Sequence, residues 1–516
     1  MLNLATLLEN SAQKYADKIA FTFMHTSLSF TQINGAANQV ANGLIALGIQ
    51  PGDKVALSCF NLPYFPIIYN GILKTGAIVV PLSVLLKADE INYHLENSDA
   101  KAYFCFTGTE ELPMGKMGHE GFQKTKSCEH FIMIMPKSDM PPTIDGIQTL
   151  GGLMQGQPSS FDTVETKSSE TAVIIYTSGT TGRPKGAELT HSNLFINAVV
   201  CADMFDCKPE DVNLIVLPLF HIFAMTVLMN VALLRGSSSV LLPRFDAATV
   251  LNLLDKHKIS LFAGVPTMYW GLNSYLDTHE FDISNITSNL RMCISGGASL
   301  PVPVLEKFEE RFDLTILEGY GMSEGSPVVT FNQLDVGRKI GSVGTPVWGV
   351  KVKLVNEDGE VVPVGEKGEL LYKGHNVTKG YYKNPEATSK TIANGWLHSG
   401  DIAVQDEDGF FYIVDRTKDM IIRGGLNVYP REVEEVMMKH PAVSMAAVIG
   451  VPDAEKGEEI KAFIVLNEGH HTSVAELSEY TKANIAAYKY PRIIEITDAL
   501  PMSATGKILK KELRKV

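Results

Sequence analysis

Between residues 50 and 105, short runs of consecutive apolar residues alternate with segments whose apolar positions recur every three or four. KVALSCF, AIVVPLS and AKAYFCF read as strands, and NLPYFPIIYNGILKTG and ADEINYHLENSD as helices. Strands spaced by helical patterns predict βαβ units and a parallel sheet. The stretch 108–168 is weaker in pattern and rich in Gly, Ser, Lys and Pro, so it reads as irregular connection with one strand at HFIMIM. The alternation resumes at AVIIYTS (172–178) and LIVLPL (214–219) and continues through SSVLLP, SLFAGVP, RMCISGG and LTILEGYG. Helical windows such as ATVLNLLDKHK and PVPVLEKFEERF lie between these strands.

From about 340 the texture changes. VKVKLVNEDGEVV, GELLYKG and DIAVQDEDGFFYIV are short strands joined by Gly, Asp and Asn turns, which predicts an antiparallel, barrel-like region over about 340–415. After Asp415, Arg416, Thr417 and Lys418 follows a compact α+β pattern: a helix at VYPREVEEVMMKHP, hairpin strands at VSMAAVIGVPD and EEIKAFIVLN, and a helix at AELSEYTKANIAAY. The expected organisation is a large N-terminal α/β domain over 1–417 and a smaller α+β domain over 418–516, long enough to fold as a unit.

One segment complicates a purely globular reading. Residues 212–234 contain no formally charged side chain and could span a bilayer by length. Asn213, Pro218, His221, Thr226 and Asn230 interrupt them, several near mid-depth where polar groups are costly, so a buried strand plus helix is expected instead. The N-terminus carries Glu9, Lys14, Asp17 and Lys18 within its apolar stretch, the pattern of an amphipathic helix rather than a secretory signal. Forty-five per cent hydrophobic and 20% charged residues leave ample material for several cores, and the net charge of −13 argues against nucleic acid as partner. The six cysteines form no C-x-x-C pair and no zinc spacing, which fits a reducing cytoplasm.

The segment from Tyr176 to Gly186 is the most informative. It follows a strand and holds Thr177, Ser178, Gly179, Thr180, Thr181, Gly182 and Lys185. Glycines let backbone N–H groups converge on an anion, hydroxyls add donors, and lysine adds a point charge. It is not a Walker loop, which places Ser or Thr directly after the lysine.

This string resembles the phosphate-binding loop of the adenylate-forming (ANL) superfamily, which includes acyl-CoA synthetases, non-ribosomal adenylation domains and firefly luciferase. SGGASLP (295–301), EGYGMSE (318–324), WLHSGD (396–401), DRTKDMIIRGGLNVYPREVE (415–434) and LPMSATGKILKKELR (500–514) resemble its other motifs, in the expected order. Within the superfamily the chain looks most like bacterial long-chain fatty-acid–CoA ligases. The resemblance implies ATP, Mg²⁺ and coenzyme A as cofactor and substrates, and a C-terminal domain that moves.

It also implies roles for particular residues. Thr177 to Gly182 and Lys185 would bind the ATP phosphates, with Lys185 catalytic. Gly297, Ala298, Glu318, Gly319, Tyr320, Gly321 and Ser323 would surround the adenine and the triphosphate, and Glu324 would hold the metal. Asp401 and Arg416 would contact the ribose, Lys418 would be the hinge, and Lys507 the catalytic lysine carried on a flexible Ser503–Gly506 turn. His221 would lie beside the acyl carboxylate, with Gly296, Phe223, Met225, Val227 and Gly425 around the acyl and CoA pocket. Ala224 stands where relatives commonly have Gly, which reshapes the acyl tunnel.

The reaction so implied is activation of a medium- or long-chain fatty acid as acyl-AMP, then transfer to coenzyme A. The alternatives are an aryl-CoA (4-coumarate-like) ligase, a fatty acyl-AMP ligase, or a non-catalytic nucleotide or fatty-acid binding module. With the sequence ending at Val516, a fused carrier domain is not expected. Peripheral contact with a membrane is compatible with a lipid substrate, although no basic amphipathic stretch would anchor it. Monomer and homodimer both stay open.

Overall fold

The structure, a computed structural model, describes residues 2–177, 183–416, 419–424, 426–453 and 455–515. Among them the strands form four sheets. The first holds eight strands. Its centre is parallel, with Ile78–Pro81, Lys54–Ser58, Ala100–Phe106 and His130–Ile134 side by side, as the apolar runs predict. At one edge Thr171–Thr177 turns back as the antiparallel Lys185–Thr190, which pairs with the short strand Gly380–Tyr381.

The second sheet has nine strands and sets the geometry of the site. Val212–Ile215, Leu261–Gly264, Met292–Ser295 and Ile316–Gly321 run parallel and adjacent, with Gly264 opposite Ser295 and Ser295 opposite Glu318. Their carboxyl ends therefore open onto one edge. The chain leaving these ends carries His221, then Val265 to Thr267, then Gly296 to Ala298, which is where open α/β sheets bind ligands.

A five-stranded antiparallel sheet follows, containing Val350–Val355, Lys367–Gly374, Trp396–Gln405 and Phe411–Arg416. The last five-stranded sheet pairs Val443–Asp453 with Gly457–Leu466 along their whole length and adds the hairpin Ile421–Arg423, Leu426–Val428. The helices Pro430–Met438 and Val474–Asn484 flank it, the second closed at its N-terminus by a Ser473–Glu476 capping box. Apolar packing divides at the same place: one large cluster runs from Leu4 to Phe411, and two smaller ones from Ile421 to Leu513.

Two expectations need correction. The stretch 108–168 is more ordered than its composition suggests, with helices Met114–Gln123 and Leu150–Met154 and a strand Gln148–Thr149. Gly115, Gly118 and Gly121 obscure the helical pattern, yet they let the first helix lie close against its neighbours. The uncharged segment 212–234 is buried, as expected, but after Val212–Ile215 its helix begins with π geometry over Ala224–Asn230 before Val231–Arg235. Seven residues of π-helix are rare and recur at functional sites. No helix among the described residues is long and apolar enough to cross a membrane.

Candidate active site

Three of the four sheets and the C-terminal segment around Lys507 deliver the expected site residues. From the eight-stranded sheet come Thr177 and Lys185, which face each other across the antiparallel pair and close the stem of the Gly/Ser/Thr loop. Ser178, Gly179, Thr180, Thr181 and Gly182 lie outside the described residues. The Lys185 ammonium stands 4.5 Å from the centre of the Tyr381 ring. The hydroxyl of that tyrosine donates to Glu324 Oε1 at 2.7 Å. Sequence reasoning did not single out Tyr381. Its only signal is its position after Gly380 in a strand that pairs with the one carrying Lys185.

Glu324 is buried in the short turn Ser323–Gly325. Among the described residues no group of three His, Cys, Asp or Glu side chains could hold a metal alone. One buried carboxylate with an oriented oxygen is what a Mg²⁺ site needs when substrate phosphates and water complete the shell, so the residues present fit that ion.

The strand Ile316–Gly321 places four of the expected nucleotide residues. Glu318 is buried and its Oε1 accepts from Leu300 N at 3.1 Å, so it anchors the segment that carries Gly296, Gly297 and Ala298. Burial pushes its carboxyl up to about 7, opposed by the Leu300 hydrogen bond and by the charges of Arg431 and Arg338. A Cβ at Gly319 would stand 2.0 Å from Phe331, and one at Gly321 2.0 Å from Pro327 O. These glycines thus let the antiparallel strand Val328–Phe331 approach, a packing reason for the EGYG pattern. Tyr320 extends its hydroxyl to Asp401 Oδ2. The ring expected under adenine is thereby tied to the carboxylate expected on the ribose.

Asp401 and Arg416 are cross-strand partners, with Arg416 Nε 3.2 Å from Asp401 Oδ1. Into the same region comes Lys507 from the C-terminal domain. A Cβ at Gly297 would meet Lys507 Cε at 3.2 Å. Burial lowers the lysine to about 8, helped by the Arg416 charge and opposed by Asp401. It still carries its proton mostly at neutral pH. The Ser503–Gly506 turn bearing it is bonded internally. Ser503 N donates to Lys507 O at 2.8 Å, Gly506 N to Ser503 O at 2.9 Å, and Lys507 N to Ser503 Oγ at 3.1 Å.

His221 follows the strand Val212–Ile215 and lies near enough to Lys507 to feel its charge. Phe223 N donates to its Nδ1 at 3.3 Å, which leaves the proton on Nε2. Burial, with the Lys507 charge, lowers its pKa to about 3, so the ring is neutral. Phe223, Met225 and Val227 are all buried, and Phe223 packs where a Cβ at Gly296 would stand. Lys418 and Gly425 lie outside the described residues.

Models of two families match the chain: "AMP-binding enzyme" over residues 8–382 and "AMP-binding enzyme C-terminal domain" over 432–507. A long-chain-fatty-acid–CoA ligase of Bacillus subtilis is 38% identical over 99% of this chain and 94% of its own. A feruloyl-CoA synthase of an Amycolatopsis species is 36% identical over 95% and 94%. Among solved structures, an anthranilate–CoA ligase in complex with anthranoyl-AMP superposes with a TM-score of 0.91 at 30% identity, covering 99% of this chain and 96% of that one. The chain therefore belongs to the AMP-binding enzyme family of the ANL superfamily, and it is an AMP-forming acid–CoA ligase that uses ATP, Mg²⁺ and coenzyme A.

Proposed function

We propose that this ligase activates a medium- or long-chain fatty acid. The observation that carries the reading is the uncharged run 212–234, in which Phe223, Met225 and Val227 are all buried apolar side chains that follow closely on a neutral histidine. Apolar surroundings of this kind stabilise an alkyl chain in proportion to the area removed from water. The 38% identity to a long-chain ligase supports the same reading.

A carboxylate is a poor electrophile, so the acid must first gain a leaving group. One of its oxygens attacks the α-phosphorus of ATP, the bond to the β-phosphate oxygen breaks, and pyrophosphate leaves. His221 donates its Nε2–H to the carboxylate without exchanging a proton. Lys507, Lys185 and the donors of the 177–185 loop stabilise the charge that builds on the phosphate oxygens. Glu324 would hold Mg²⁺, which supplies charge neutralisation on the triphosphate. Tyr320, Asp401 and Arg416 fix the nucleoside. The thiol of coenzyme A then attacks the acyl carbonyl and AMP departs.

The two steps need different groups at one locus. The domain that follows Lys418 turns about that residue, withdraws Lys507 and presents the Gly424–Gly425 face to the acyl-adenylate.

The deciding measurement is thioester formation with acids from hexanoate to stearate against benzoate, anthranilate and ferulate. Aliphatic acids should lead in kcat/KM by about tenfold or more. An aryl acid outrunning all of them would replace this reading with the aryl-CoA one. Lys507→Ala should slow adenylate formation by about 10²-fold or more. Thioester formation from supplied acyl-adenylate should survive; equal loss in both half-reactions would remove the rotation.

A further inference from the structure

The turn bearing Lys507 touches the large domain at one place that none of the expected site residues explains. Gly506 O accepts a hydrogen bond from Thr267 Oγ1 at 3.2 Å, across 239 positions of sequence. Thr267 sits in the first turn of the helix Pro266–Thr278. The residues three and four positions before it, Gly264 and Ala263, belong to the strand Leu261–Gly264, so its hydroxyl has no carbonyl of its own helix to return to.

Val265, just before that helix, is buried and stands between two glycines. A Cβ at Gly506 would lie 2.9 Å from Val265 Cγ2 and 2.9 Å from Thr267 Oγ1. A Cβ at Gly297 would lie 3.6 Å from Val265 Cγ1 and 3.2 Å from Lys507 Cε. Gly297 and Gly506 also have φ of +84° and +76°, so side chains there meet backbone strain as well as crowding. The helix start and the Lys507 turn are thus shaped to seat against each other. The three hydrogen bonds inside the turn transmit the seating to the lysine, since Gly506 directly precedes it.

We propose that Thr267 is a positioning residue: its hydroxyl latches Gly506 O while the C-terminal domain is closed for adenylate formation, and so sets where Lys507 delivers its charge. This rests on the reading of Lys507 given above. The latch acts in one half-reaction only, because the contact breaks when the domain turns. It therefore lowers the barrier to adenylation without holding either substrate.

The test compares Thr267→Val, which keeps the shape and removes the donor, with Thr267→Ser, which keeps the donor. Thr267→Val should lower kcat of adenylate formation by about fivefold, the scale of one hydrogen bond. KM for ATP and for the acid should stay within about twofold, and Thr267→Ser should restore kcat. Thioester formation from supplied acyl-adenylate should be unchanged in both. In a Lys507→Ala background Thr267→Val should cost nothing further, because the residue acts through the lysine. Normal adenylation in Thr267→Val, equal loss in both half-reactions, or a full extra loss on top of Lys507→Ala would each overturn the latch. A Lys507→Ala enzyme with undiminished adenylation would instead overturn the reading on which it rests.

Discussion

Tyr381 shows how one side chain can keep two opposite charges available for a substrate. Lys185 and Glu324 approach the same ring system, one over its face and the other at its hydroxyl. Paired directly, they would neutralise each other; with the phenol between them, each keeps its charge for phosphate or metal. Tyr381→Phe retains the face and loses the donor. It should raise the Mg²⁺ concentration needed for half-maximal pyrophosphate exchange by about tenfold, and weaken Mn²⁺ binding to the enzyme–ATP complex in parallel. An unchanged metal requirement would mean that the hydroxyl does not orient Glu324. Nothing in the string GYYKNPE distinguishes this tyrosine from Tyr382 beside it, whose hydroxyl goes to Asp99 instead.

The strand Ile316–Gly321 divides its work by alternation. Glu318 and Tyr320 present polar groups to the loop at Leu300 and to Asp401, while Gly319 and Gly321 admit the neighbouring strand. Glu318 gives this element a pH signature. Its folded carboxyl titrates near 7, against an ordinary value near 4.5, so folding takes up a proton between these values. Its contribution to stability is complete below about 4.5 and is lost as pH rises to 7. Glu318→Gln keeps an acceptor for Leu300 N and removes the ionisation. It should match the parent at pH 4.5 and exceed it by about 1–3 kcal/mol at pH 8 in denaturant titrations. A variant with the parent's pH slope would place the charge burial elsewhere.

At the scale of the molecule, the apolar clusters break between Phe411 and Ile421, and among the described residues several polar contacts cross the break. Thr267 meets Gly506, the Lys367 ammonium lies 3.9 Å from the Tyr429 ring centre, and Arg431 reaches Ile413 O. An interface of this kind separates without exposing a core, as a rotating domain requires. Lys418→Pro restricts the backbone at the proposed pivot. It should slow the thioester step by about tenfold or more and spare pyrophosphate exchange. Normal thioester rates in that variant would exclude Lys418 as the hinge.

Much of this was legible in the chain itself. Apolar runs and helical spacing set the parallel strands and the change of texture near 340, because burial on one or two faces leaves a period in the sequence. The hydroxyl- and glycine-rich string, the second glutamate of EGYGMSE and the lysine after Ser-Ala-Thr-Gly were visible because their chemistry is local. What stayed hidden was decided by contacts between distant segments. No period announces that Tyr381 bridges Lys185 and Glu324, that Glu318 turns toward Leu300, or that Thr267 meets Gly506. The π-helical start at Ala224 and the tightness of the Ser503–Lys507 turn likewise depend on what packs or bonds against them. Residue types determine which groups can hold a phosphate or lose a proton; only the folded chain decides which of them share a cleft, since pairing and desolvation are properties of neighbours in space.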